Sequence, residues 1–281
     1  MNIAEALAYG RSQLHHSPTP ELDTRLLLQH ILQRSHSFLI AYGEEPLTAV
    51  QQTLFTQAIA RAQQQEPIPY ILGSAPFFDF DLQVSPAVLI PRPETELLVE
   101  TAVTHARTHP AKHLVDVGTG SGAIAIAAAR MLPQTAVSAT DISPPALTIA
   151  QANADRLAAG RIRFYPGDLL SPIHAAPDSQ VDIIIANLPY ITDGEWTALD
   201  DGVKWYEPVT ALRGGPDGLD LVRELLQQAV TYLRPGGAIF LEIGWQQGAA
   251  ATQAARHTFP QAQVQLLPDY AGHDRIVAVK C

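Results

Sequence analysis

From His113 to Val279 the sequence alternates short β-branched runs with helical stretches, and this narrows the possible folds more than any other feature of the chain. Strands are expected at 113–117, 136–140, 162–165, 181–186, 238–243 and 275–279. Helices are expected at 123–131, 144–157, 219–233 and 248–258, where apolar residues recur at helical spacing. Strands and helices of these lengths, taken in turn, imply right-handed βαβ crossovers and a mostly parallel sheet. The expected class is therefore α/β, with a Rossmann-like sheet.

The first third of the chain has a different character. Up to residue 66 it reads as helices only. Ile3, Ala6, Leu7 and Leu14 share one face, and Pro20 opens a second helix with Thr19 as its N-cap. Leu22, Leu26, Leu27, Ile31 and Leu32 follow at helical spacing, and a third helix is expected from near Pro46. Residues 1–67 thus form a small all-helical domain. Pro67 and Pro69 then break the helical pattern, and Phe78, Phe80, Leu82 and Val84 follow at period two, so 68–90 is read as a short hairpin connector. Residues 91–281 form the sheet domain, entered through a helix from Pro93.

Composition trims the function classes. The formal net charge of −10 disfavours a broad face for DNA or RNA, since phosphate-binding proteins carry a basic surplus. Cys281 is the single cysteine, so no intramolecular disulfide can form and a reducing compartment is expected. The start of the chain lacks the pattern of a signal peptide, and no charge-free apolar run approaches 18 residues. A soluble, cytoplasmic protein is expected. The ten histidines show no metal-ligand spacing, so no metal is expected.

The first strand runs into Asp116-Val117-Gly118-Thr119-Gly120-Ser121-Gly122-Ala123 and then a helix. Glycines there permit a tight turn and let a ligand approach the backbone. Asp141 follows Gly120 by 21 residues, at the end of the next strand, where a carboxylate can accept hydrogen bonds from ribose hydroxyls. Gly118, Gly120 and Ala123 also satisfy the dinucleotide pattern G-x-G-x-x-A, so a nicotinamide-dependent oxidoreductase stays open at this point. Two details favour S-adenosylmethionine. The run D-x-G-x-G-x-G resembles motif I of Rossmann-like methyltransferases, and a carboxylate at Asp116 suits a sulfonium or an ammonium group. After the third strand come Asp168, placed to accept from an adenine amino group, and Leu169, placed to pack on the ring.

The fourth strand ends in Asn187-Leu188-Pro189-Tyr190. This resembles the [Asn/Asp/Ser]-x-Pro-[Tyr/Phe/Trp] motif of methyltransferases acting on planar amino or amide nitrogens. An amide nitrogen is a poor nucleophile because its lone pair is delocalised. The Asn187 side-chain oxygen and the Leu188 carbonyl can accept both of its N–H groups and hold it in line with a methyl donor. Proline stiffens the turn and has no N–H to compete. The Tyr190 ring is placed to lie over the flat amide.

Further segments narrow the family: 69–73, Pro-Tyr-Ile-Leu-Gly; 90–96, Ile-Pro-Arg-Pro-Glu-Thr-Glu; Tyr206-Glu207-Pro208; Gly214-Gly215; and Asp217-Gly218-Leu219-Asp220. Together they resemble the HemK/PrmC family of protein-(glutamine-N5) methyltransferases that act on peptide chain release factors, and the resemblance spans the whole chain. It implies transfer of a methyl group from S-adenosyl-L-methionine to the glutamine of a Gly-Gly-Gln loop, leaving S-adenosyl-L-homocysteine. It implies that Asn187, Leu188, Pro189 and Tyr190 hold the glutamine. Gly118, Thr119, Gly120, Ser121 and Gly122, with Asp141, Leu169 and Asn187, would contact the cofactor, and the helical domain would dock the release factor. No direct nucleic-acid or membrane partner is expected. The usual family tetrapeptide is Asn-Pro-Pro-Tyr; Leu188 departs from it at a position where only the backbone carbonyl is expected to act. A ribosomal-protein glutamine, or an adenine N6 in DNA, would call for the same tetrapeptide chemistry.

Overall fold

The structure, a computed structural model, describes residues 1–175, 179–199 and 201–281. They divide into two compact units: Met1–Ser74 with a short later stretch ending at Tyr206, and Ala75–Leu199 with Glu207–Cys281.

The first unit contains α1 (Ile3–Gln13), α2 (Pro20–Leu32), α3 (His36–Ala41), α4 (Ala49–Gln63) and α5 (Ile68–Leu72). Asn2 with Glu5, and Thr48 with Gln51, form reciprocal capping boxes on α1 and α4, so the helix expected from near Pro46 begins one residue after Thr48. Thr19 holds the N-cap position of α2, but its hydroxyl donates to Asp23 and leaves the helix N–H groups uncapped. The core is built on Ile3, Leu27, Leu28, Leu39, Phe55 and Ile59, all buried. Gly10 lets α1 and α2 approach closely: a Cβ there would lie 2.5 Å from Thr24 Cγ2.

The second unit opens with the hairpin β1 (Ser74–Phe77) and β2 (Phe80–Gln83), inside the segment read as a connector, which also contains α5. After α6 (Pro93–Thr108) come β3 (His113–Val117), α7 (Ala123–Met131), β4 (Ala136–Asp141), α8 (Pro144–Leu157), β5 (Ile162–Pro166) and β6 (Val181–Asn187). Then follow β7 (Ile191–Thr192), α9 (Asp193–Ala198) and, after α10 (Asp201–Tyr206), which belongs to the first unit, β8 (Arg213–Gly215). The chain ends with α11 (Asp220–Tyr232), β9 (Leu233–Glu242), α12 (Gly248–Thr258), β10 (Gln263–Pro268) and β11 (Asp274–Lys280).

Seven strands form one sheet in the order β10-β11-β9-β6-β3-β4-β5. Its pairs are parallel except that β11 runs antiparallel to β9 and β10. All six expected strands are in it; the seventh is β10, a partly exposed edge. One face packs Leu114, Ile183, Ile185 and Phe240 against α6, α7 and α8; the other packs Val115, Val117, Ile184 and Leu241 against α11 and α12. Both faces are covered, as a parallel sheet requires. Among the described residues no helix is long and apolar enough to cross a membrane.

This strand order positions the site. From β3 the chain steps outward to β4 and β5, then returns to lay β6 on the other side of β3. The loops leaving the carboxyl ends of β3 and β6 therefore diverge from neighbouring strands and open a crevice between them, the place where open α/β sheets bind ligands.

Candidate active site

The glycine loop is fastened from below. Gly118 and Thr119 both donate N–H to the Thr140 carbonyl at 2.9 Å, and Gly120 donates to Asp141 Oδ2 at 2.9 Å. Gly118, Gly120 and Gly122 all have positive φ, which L side chains rarely adopt. Over Gly120 an added Cβ would meet nothing within 4 Å, so the loop is open there. The second Asp141 oxygen accepts the Ser143 N–H at 2.8 Å, while Ser143 itself caps α8 through the Ala146 N–H. Each carboxylate oxygen thus keeps lone-pair capacity for a ligand.

Asp116 lies under the loop. It is fully buried, and one oxygen accepts from Thr119 Oγ1 at 2.6 Å and from Ala125 N–H at 3.1 Å. Burial pushes its carboxyl up to about 7 against the pull of those two bonds. Its visible work is to tie the loop to the first turn of α7. Asn153, also buried, bonds both the N–H and the carbonyl of Gln83 and the Ser121 carbonyl, joining the hairpin to the loop.

A cleft of about 310 Å³ lies above the loop. Gly118, Thr119, Gly120, Ser121, Asp141, Asp168, Leu169, Asn187, Leu188 and Pro189 line it; among the expected site residues, Asp116, Gly122 and Tyr190 stand outside its lining. Gly122 is used for packing, since a Cβ there would sit 3.3 Å from Ala150. The loop and the tetrapeptide, read as separate motifs, meet here. Leu188 adds a contact beyond its backbone: its Cδ2 would be 3.1 Å from a Cβ on Gly118. Leu169 is held at φ +47, an uncommon conformation for a bulky residue.

Several cleft residues carried no assigned role in the sequence. Ala87, Val88, Leu89, Pro91 and Arg92 form one wall and Pro208, Thr210 and Ala211 another. Arg92 pairs with the buried Glu207 at 2.5 Å, and Glu207 also accepts the Ile90 N–H at 3.4 Å, which joins the two walls. Thr95 lines the cleft, accepts from Asn187 Nδ2 at 2.9 Å and donates to Glu242 Oε2 at 2.8 Å.

The tetrapeptide backbone is braced from behind. Gln247 donates to the Tyr190 carbonyl at 2.8 Å and to the Asp217 carbonyl at 3.1 Å, and accepts the Gly244 N–H at 2.9 Å. A Cβ on Gly214 would lie 2.4 Å from the Pro189 carbonyl oxygen, and one on Gly218 would lie 2.1 Å from that of Tyr190. The glycines of the 214–218 segment are thus the surface on which the tetrapeptide rests. Burial pushes the Tyr190 phenol up to about 12, with Glu242 adding to the effect, so it stays neutral at physiological pH.

Residues 5–73 match the PrmC N-terminal domain and residues 93–200 the Methyltransferase small domain. A release factor glutamine methyltransferase of Moorella thermoacetica is 43% identical over 91% of this chain and 89% of its own. One from Salmonella typhimurium is 37% identical over 98% of both chains. Among solved structures, a methyltransferase from Pyrococcus furiosus superposes with a TM-score of 0.52 at 17% identity, covering 83% of this chain and 98% of its own, a likeness of fold. The chain belongs to the release factor glutamine methyltransferase family.

Proposed function

We propose that this protein transfers the methyl group of S-adenosylmethionine to the side-chain amide nitrogen (N5) of the glutamine in the Gly-Gly-Gln loop of peptide chain release factors, in the cytoplasm. The observation that carries the reading is the convergence of the glycine loop and Asn187-Leu188-Pro189 on one cleft at the switch point of the sheet. The residues present fit the cofactor. The loop is open over Gly120, Asp141 keeps acceptor capacity for two ribose hydroxyls, and Asp168 and Leu169 supply a polar and an apolar wall for adenine. When bound, S-adenosylmethionine supplies an electrophilic methyl group for in-line displacement. Asn187 Oδ1 and the Leu188 carbonyl accept the two N–H groups of the glutamine amide, which fixes the nitrogen and raises its electron density. Pro189 offers no competing donor. No side chain is required as a strong base, because an N-alkylated amide cation sheds its proton to water. The helices of residues 1–67 serve to dock the release factor, and the exposed Ile40 and Tyr42 suit such a role. The protein is expected to need no nucleic acid.

Incubation with labelled S-adenosylmethionine and a release factor tests this reading. Label should enter the wild-type factor and be absent from its Gln→Ala loop variant; equal uptake by both would overturn it.

The bracing glycines give a second expectation. Gly214→Ala should push the Pro189 carbonyl aside, since the atoms its Cβ would meet, the Pro189 and Gly218 carbonyl oxygens, are backbone and not the tips of flexible side chains. Displacing a positioning group by about 1 Å can cost roughly 10²-fold in rate, so kcat should fall at least about tenfold. Affinity for S-adenosylmethionine should change little, because Gly214 does not line the cleft. Steady-state kinetics beside calorimetric titration separates the two quantities.

A further inference from the structure

We infer that Thr95 and Glu242 are positioning residues that decide which end of the Asn187 carboxamide faces the substrate. The inference deepens the reading of Asn187 proposed above and rests on it. A carboxamide has an acceptor end and a donor end of nearly the same size, so packing alone does not choose between them. Toward the N–H groups of a substrate amide, the oxygen binds and the NH₂ repels.

The choice follows from counting protons. The Thr95 hydroxyl has one proton and donates it to Glu242 Oε2 at 2.8 Å. Toward Asn187, 2.9 Å away, it can offer only a lone pair, so Asn187 must present Nδ2 to it. The Asn187 oxygen is then left for the cleft. The three groups come from separate elements, α6, β6 and β9, with Asn187 and Glu242 paired in the sheet register. Thr95 and Glu242 are both buried, at 4% and 1% exposure, which leaves little room for water to replace either partner.

Glu242 is costly to keep there. Its Oε1 is buried with no hydrogen-bond partner. Burial pushes its carboxyl up to about 7; the Thr95 bond, Arg275 on β11 and Asn187 on β6 oppose the shift, and Glu94 on α6 reinforces it. Tyr190, the other ionisable group facing it, is neutral in this range. Ionised, Glu242 can only accept from Thr95, and the relay has one polarity. Protonated, it can donate to Thr95, which frees the hydroxyl proton to point at Asn187 and lets the carboxamide turn over. The productive orientation belongs to the ionised form, so kcat should rise with pH through the titration of Glu242.

Thr95→Val keeps the shape and removes the hydroxyl. It should lower kcat about tenfold or more while KM for either substrate moves less than about threefold, and Thr95→Ser should recover most of the loss. Glu242→Gln still offers an acceptor but no titration, so the limb near pH 7 should vanish from its profile. Asp116 titrates in the same range, so the limb is assigned by its loss in that variant and not by its position. An arm independent of substrate is the NMR signal of the Asn187 side-chain NH₂ in the full-length protein. In the wild type it should shift with a midpoint near 7, in Glu242→Gln it should not, and in Thr95→Val the shift should shrink to what the direct contact of Asn187 with Glu242 leaves. Wild-type kcat in Thr95→Val, equal damage from Thr95→Ser, a loss of S-adenosylmethionine affinity matching the loss of rate, or an Asn187 signal that titrates in Thr95→Val with the full wild-type amplitude would each overturn the inference. A release factor that takes no label from the wild-type enzyme would instead sink the parent reading, with the NMR arm still deciding the relay.

Discussion

Asn187→Ala should lower kcat for amide methylation by roughly 10³-fold, equivalent to about 4 kcal/mol of transition-state stabilisation. Two effects add. The variant loses the side-chain acceptor that holds one N–H of the glutamine amide, and with it the orientation on which in-line transfer depends. It also strands the Thr95 hydroxyl, which loses the Nδ2–H donor 2.9 Å away inside a buried relay. Binding of S-adenosylmethionine should weaken far less, because the glycine loop and Asp141 stay in place and are anchored on β4 and not on β6. The informative measurement is the pair: single-turnover rate with a release factor, and cofactor affinity by calorimetry. Were affinity to fall as steeply as rate, Asn187 would be a cofactor residue first and the amide-holding role would be wrong.

The parts of the molecule legible in the sequence are those whose signal is local. The strand, glycine loop and helix at 114–131 were readable because positive-φ glycines sit at fixed offsets from an apolar strand, and β3, β4, β5 and β6 lie within one residue of expectation. β9 starts five residues before the expected 238: Leu233 already pairs with Val181, but Pro235, Gly236 and Gly237 break the apolar pattern and the register shifts across them before Ala238 pairs with Ile183. β10 was silent because Gln263 and Gln265 alternate with only half-buried partners and Pro268 closes it. The relay was invisible for a different reason: its members are 92 and 147 residues apart, and no local period reports such a meeting. A trace was present all the same. Thr95 is a polar residue on the stripe shared with Leu98, Val99 and Ala102, and Glu242 is a charge at the end of the apolar run from Ala238. A polar group on a buried stripe asks for a partner, and finding two such anomalies is what would have paired them. Asp116 has two sides: the bonds of one oxygen to Thr119 and Ala125 serve the loop's own geometry, a task its place in the motif did not show, while its second oxygen is buried without a hydrogen-bond partner.

Asp141→Asn should weaken binding of S-adenosylmethionine about as much as Asp141→Ala, by roughly 10²-fold. The near-equality is the informative part, because asparagine preserves size and one acceptor. It follows from the two backbone donors that converge on this side chain: Gly120 N–H on Oδ2 at 2.9 Å and Ser143 N–H on Oδ1 at 2.8 Å. A carboxylate accepts on both oxygens. A carboxamide must turn its NH₂ toward one of these N–H groups, donor against donor, whichever way it faces. If it faces Gly120, the loop loses the anchor that holds it open; if it faces Ser143, the entry to α8 is disturbed just ahead of the Ser143 cap. In either case the ribose meets one acceptor where two stood, and the charge that strengthens those bonds is gone. Folding should suffer much less than binding, since the remaining loop bonds from Gly118 and Thr119 to the Thr140 carbonyl are backbone to backbone. Titration of both variants with S-adenosylmethionine, beside their thermal midpoints, checks the expectation. An Asp141→Asn protein that binds as tightly as the wild type would show that neither the second oxygen nor the charge is used, and would move the ribose contact away from this residue.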